Sequence, residues 1–207
     1  MPEIELSGGN ETIITHCLQV RFLWISDHWK HELVSAGGCH SIPRIWSVEG
    51  VPHHEDPGKP CGPLYQRLEA RIEPSGVARA SLSGQSGSHH FSTTFEVREQ
   101  PDEVIIDVDV VDRCPDPVKD LSVTYLIEAS DGRLRADEVI TITWSHPECK
   151  LVFEAEPPAT ATASEAGLGT IRLQAHAELD PSKQAHHFRY RWRWITLPAR
   201  QIWDREA

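Results

Sequence analysis

Apolar side chains recur at every second position through most of this chain. In residues 12–25, Ile14, His16, Leu18, Val20, Phe22 and Trp24 fall on one side, and Thr15, Cys17, Gln19 and Arg21 on the other. Successive side chains of a strand point to opposite faces of its sheet, so this alternation predicts strands buried on one face. Residues 67–73 repeat the pattern, with Leu68, Ala70 and Ile72 against Glu69, Arg71 and Glu73, before "PSG" at 74–76 turns the chain into "VARASL". "HHFSTTFEV" (89–97) and "EVIIDVDVVD" (103–112) put Phe91, Phe95, Val97 and then Val104, Ile106, Val108, Val110 inside, leaving Asp107 and Asp109 outside. "LSVTYLIEA", "EVITITW", "KLVFEAE", "TIRLQAHAEL" and "HFRYRWRWI" complete the series.

Turn residues separate these runs, as in "SGQSG" at 83–87, "SDGR" at 130–133 and "LDPSK" at 179–183. Roughly ten strands at this spacing predict an all-β protein, an antiparallel β-sandwich or flattened barrel. Short connections favour antiparallel pairing. Only 64–70 and 196–205 hint at helix. Two stretches break the rhythm. Residues 36–63, rich in Gly and Pro, form a long excursion of the kind that is commonly functional. Residues 157–168, "PPATATASEAGL", read as a flexible surface loop. Strands on both sides of each break are alike, so 1–207 is expected to be a single domain.

Composition narrows the functional classes. A net charge of −11 disfavours nucleic acid and anionic membranes, both of which select Lys/Arg-rich surfaces. No apolar run is long enough to span a bilayer, and the acidic start, "MPEIELSGGNE", lacks the features of a secretory signal. An odd count of five cysteines without a C-x-x-C then predicts reduced thiols and a cytoplasmic protein. Twelve histidines are more unusual, six of them in adjacent pairs.

Four places carry candidate chemistry. The long loop gathers Cys39, His40, His53, His54, Glu55, Asp56 and Cys61; of these Cys39, His40, His53 and Cys61 have the ligand chemistry of a zinc site, although their spacing matches no standard finger. "FLWISDHWKHELV" (22–34) is a hairpin in which Trp24 and Trp29 offer flat platforms and Asp27 and His31 hydrogen-bond partners. Its "HELVS" falls short of H-E-x-x-H, which also needs a helix. In "HHFRYRWRW" (186–194), Phe188, Tyr190, Trp192 and Trp194 face one way and Arg189, Arg191 and Arg193 the other. Opposite faces cannot grip one strand of ligand, so the arginines are expected to form a salt-bridge ladder with Asp107, Asp109, Glu69 and Glu73. Finally, His16 and His89 share phase with core residues; in an interior cleft they would meet Tyr125, Glu128 and Trp144, and a histidine with a carboxylate there is equipped for acid–base work.

Phosphate-binding loops, dinucleotide fingerprints and G-x-S-x-G are all absent. Three readings follow. The first is a binding module whose groove, lined by Trp24, Asp27, Trp29, His31, Trp46 and His54, takes a small polar or carbohydrate-like ligand. Comparison with carbohydrate-handling β-sandwiches is here one of fold alone. The second is a His/carboxylate enzyme, metal-dependent if the loop binds zinc. The third is a structural module that forms homo-oligomers through sheet edges or the arginine stripe.

Overall fold

The computed structural model describes residues 1–36, 44–48, 62–128, 132–137, 139–144, 149–167 and 169–196. Among them sixteen strands, numbered along the chain, form two open antiparallel sheets of eight strands each. The first sheet runs β1 (Glu3–Ser7), β2 (Asn10–Ile14), β3 (Leu18–Ile25), β4 (His28–Ser35), β5 (Ile45–Ser47), β10 (Ser122–Glu128), β15 (Thr170–His176) and β14 (Thr160–Gly167). The second runs β11 (Arg133–Ala136), β12 (Ile140–Trp144), β13 (Cys149–Ala155), β16 (Ala185–Thr196), β9 (Glu103–Arg113), β8 (His89–Gln100), β7 (Ala78–Ser86) and β6 (Arg67–Ile72). Their facing sides enclose one continuous apolar core, giving a β-sandwich. No helix among the described residues is long and apolar enough to cross a membrane.

The alternation read from β9 and β16 holds residue by residue. Val104, Ile106, Val108 and Val110 are buried, and so are Phe188, Tyr190, Trp192 and Trp194. At about 150–250 Å² per aromatic side chain, each such burial contributes on the order of 4–6 kcal/mol before entropy is charged against it. Phe153, Tyr125 and Trp192 interlock at the centre, with ring centroids 4.4 and 4.9 Å apart across the Phe153–Trp192 and Tyr125–Trp192 pairs.

Four expectations are corrected. Residues 12–25 are two strands, broken where the Thr15 hydroxyl donates to the Leu18 carbonyl (2.7 Å) and accepts from its N–H (3.0 Å). The break shifts the buried phase from Ile13 to Leu18, so His16 sits in a turn and not in the core. The stretch 157–168 contains the edge strand β14, and 64–70 leads into β6 with no helix. The excursion 36–63 is interrupted by β5, which pairs with β4 on one side and β10 on the other. The second helix hint, 196–205, lies outside the described residues beyond Thr196.

Candidate functional site

Strands β3 and β4 make a tight hairpin. Its last rungs pair Phe22 with His31, Trp24 with Trp29 and Ile25 with His28, leaving Ser26 and Asp27 as the turn. Cross-strand partners share a face, so Trp24 and Trp29 continue the inward row begun by Phe22 and His31 and stand where that row reaches the end of the sandwich. The two indoles meet edge to face with centroids 5.4 Å apart. Trp29 packs against the core and its backbone N–H donates to the Tyr65 carbonyl at 2.8 Å, tying the hairpin to the segment that leads into β6 of the second sheet. Trp24 is 44% exposed, as is its neighbour Ile25 at 42%. Ser26 has φ = 62°, a left-handed conformation that L side chains adopt at a cost of roughly 1–2 kcal/mol.

Asp27 extends into solvent and binds the His28 ring at 2.8 Å. The hydrogen bond from His28 is the main cause that holds the Asp27 carboxyl below its ordinary value, so at neutral pH it is an exposed acceptor.

His31 lies behind the tryptophans and is buried. Phe95 at 4.7 Å and Tyr125 at 5.3 Å pack edge-on to its ring. Its Nε2 shares a 2.7 Å hydrogen bond with the Tyr125 hydroxyl, which is in turn 2.5 Å from the hydroxyl of Tyr190. This chain crosses the core from β4 to β16. It fixes His31 as a support for the hairpin and keeps its ring away from solvent.

Trp46 is on the other side of the sheet. Registers Glu32↔Trp46 and Leu33↔Ile45 put it in phase with Glu32, whereas Ser47 is in phase with His31 and accepts its backbone N–H at 3.0 Å. There the Arg44 guanidinium lies 5.8 Å over the Trp46 ring and reaches Glu32 at 2.6 Å. The structure thus joins Trp24, Trp29 and Asp27 at one tip, sets His31 beneath it, and separates Trp46. His54, and the loop residues Cys39, His40, His53 and Cys61, lie outside the described residues. Among the described residues no group of three or more His, Cys, Asp or Glu is placed to hold a metal ion.

His16 and His89 do not share a cleft. His16 binds Glu99 at 2.7 Å, near one end of β8, while His89 begins that strand; ten residues of strand separate positions 89 and 99, about 33 Å. Trp144 instead stacks on Trp194 at 5.9 Å, and Glu128 is exposed. His89 Nδ1 shares a 2.7 Å hydrogen bond with the Asp112 carboxylate, and His186 pairs with Asp112 in register. Asp112 is fully buried. The signal for it was present: Asp112 is in phase with Val104 through Val110, a carboxylate on the inward row.

The arginine stripe forms a ladder with Asp107 and Asp109 as expected, but with Glu103 in place of Glu69 and Glu73; Glu69 lies on β6, separated from β16 by β9, β8 and β7. Arg189 reaches Asp109, Arg191 reaches Asp107 and Arg193 reaches Glu103, at 2.9, 2.5 and 2.5 Å. Glu73 serves Arg71 and Arg79 instead.

No protein-family model matches the sequence, and no curated protein matches it. Among solved structures, the chain resembles heparinase III with a TM-score of 0.45 at 6% identity, covering 87% of this chain and 35% of that one. A second heparinase III structure, with methylated lysines, gives 0.45 at 8% identity over 90% and 36%. The chain therefore spans about a third of the length of the solved proteins it matches.

Proposed function

We propose that the protein is a non-catalytic binding module that holds the ring of a small polar or carbohydrate-like ligand against Trp24 at the β3–β4 tip. The observation that carries this reading is the half-exposed Trp24 indole, braced edge-on by Trp29 beside a turn that keeps a serine in a left-handed conformation. A large apolar ring left in water is stabilised by covering, and a sugar ring offers C–H groups to such a surface while its hydroxyls stay solvated. Strain at a turn persists only where the surroundings over-determine it, and binding sites are where such strain collects. Asp27, in the turn that follows Trp24 and Ile25, supplies an ionised acceptor at the same tip. Catalysis by His31 is disfavoured, because a general base must reach its proton and this ring is 4% exposed.

The test is calorimetric titration with neutral hexasaccharides of β-1,4-glucan, β-1,4-xylan and β-1,4-mannan, comparing the parent protein with Trp24→Ala. Binding of at least one sugar, weakened tenfold or more in Trp24→Ala, is the expected result. Equal affinity in both proteins for every sugar that binds refutes the platform. Trp29→Ala is the poorer probe because Trp29 also packs against the core.

A further inference from the structure

The outer face of the second sheet holds a concavity of about 760 Å³, at β7, β8, β9, β13 and β16. That volume lies within the range of ordinary ligand sites. It is a different surface from the β3–β4 tip, which belongs to the first sheet. Its walls are formed by four arginines and five carboxylates around Thr94. Among the described residues no aromatic ring faces into it: Tyr190, which contributes to the floor, is 2% exposed and turns its hydroxyl to Tyr125.

Among the described residues, the ladder on this face leaves much of its hydrogen-bonding capacity unused. Arg189 and Arg191 hold their aspartates through Nε, in single bonds of 2.9 and 2.5 Å, rather than as two-pronged forks. The carboxylate oxygens that face their terminal nitrogens, on Glu156 and Glu154, stand 4.0 and 3.7 Å away, beyond hydrogen-bond reach. Each guanidinium therefore presents terminal N–H donors, and Glu154 and Glu156 present acceptors, alternating across one concave floor. Arg189 is 52% exposed, so these groups are open to a ligand.

Balance of charge decides the ligand class. Five carboxylates against four guanidinium groups leave a net of one negative charge, which neither a polyanion nor a polycation would seek. A hydroxyl, which donates and accepts at once, satisfies both kinds of group without displacing any ion pair. We infer that the concave face of β8, β9 and β16 is a second binding site, for an uncharged polyhydroxylated ligand recognised by hydrogen bonds rather than by ring stacking.

The experiment is a ¹H–¹⁵N NMR titration of the full chain, reading backbone amides and arginine Nε–H signals, with the same neutral hexasaccharides and, separately, dextran sulfate. Thr94→Trp is the blocking variant: position 94 points outward from the middle of β8, and an aromatic residue suits a strand there. The expected result is a shift of Arg189 and Arg191 Nε–H signals by a neutral sugar, abolished in Thr94→Trp and kept in Trp24→Ala. Shifts confined to the β3–β4 hairpin would overturn this second site and leave the proposed function standing. Shifts here that survive Thr94→Trp, or dextran sulfate binding this face more tightly than every neutral sugar, would overturn it as well. Silence of both surfaces toward every probe would overturn both assignments.

Discussion

Tyr125→Phe removes one oxygen atom from the centre of the sandwich and isolates the energetic role of the chain His31–Tyr125–Tyr190. The ring stays, packed edge-on to Trp192 at 4.9 Å, so no cavity opens and the cost is polar. Two bonds disappear together, at 2.7 and 2.5 Å, and both former partners are buried. A buried polar group deprived of a partner costs roughly 1–3 kcal/mol, partly offset because Phe has no hydroxyl to desolvate. A net loss of about 2–3 kcal/mol follows, and for a chain of this length that lowers the melting temperature by about 4–12 °C. Tyr190→Phe loses one of the two bonds and should cost about half as much. The double variant should cost less than the sum of the singles, because they share a bond. Thermal and urea unfolding followed by circular dichroism measure all three, with an unchanged urea slope expected. A Tyr125→Phe protein as stable as its parent, or strict additivity in the double variant, would show that the chain does not brace the two sheets.

Three further outcomes follow from local geometry. Ser26→Gly relieves the left-handed turn but adds backbone entropy to the unfolded chain; the balance is a gain of about 0.5–1 kcal/mol, visible as a higher melting temperature. Burial raises the Glu99 carboxyl, but hydrogen bonds from the Met1 ammonium and from the backbone and ring of His16 outweigh it and bring it down to about 2 from 4.5. A depressed carboxyl stabilises the fold above its unfolded value and loses that contribution as pH falls through the folded one. Stability should therefore drop between pH 4.5 and 2, and this part of the drop should vanish in Glu99→Gln when unfolding is measured across that window. Asp112→Ala strips His89 of its buried partner and should cost about 2–3 kcal/mol by the same unfolding assay, with binding at Trp24 unchanged.

What the sequence disclosed depended on contrast and on phase. β9 and β16 were legible because bulky apolar and charged residues alternate without interruption, and their faces fixed the Asp107 and Asp109 rungs of the arginine ladder, though not Glu103. β14, "TATASEAG", was not, because small residues at a sheet edge carry almost no contrast between faces. The break at 15–17 was concealed by residues that keep period two while the buried phase shifts from Ile13 to Leu18. Among the site residues, Trp24 and Trp29 were placed together by a two-residue turn, which is local information. Trp46 was not placed, since its face depends on the register of β5 between β4 and β10, and one residue of slip exchanges the faces. The strain at Ser26 left no trace either, because a serine in "ISDH" marks a turn without fixing the sign of φ at that position.

The central claim is that Trp24 is a binding platform, and its indole N–H signal reports on it directly. In ¹H–¹⁵N spectra of the full chain, addition of a neutral hexasaccharide should move the Trp24 indole resonance, leave that of buried Trp192 in place, and leave the sugar intact after prolonged incubation. A sugar that is cleaved, or a series in which every sugar that binds leaves the Trp24 resonance unmoved, would contradict the account.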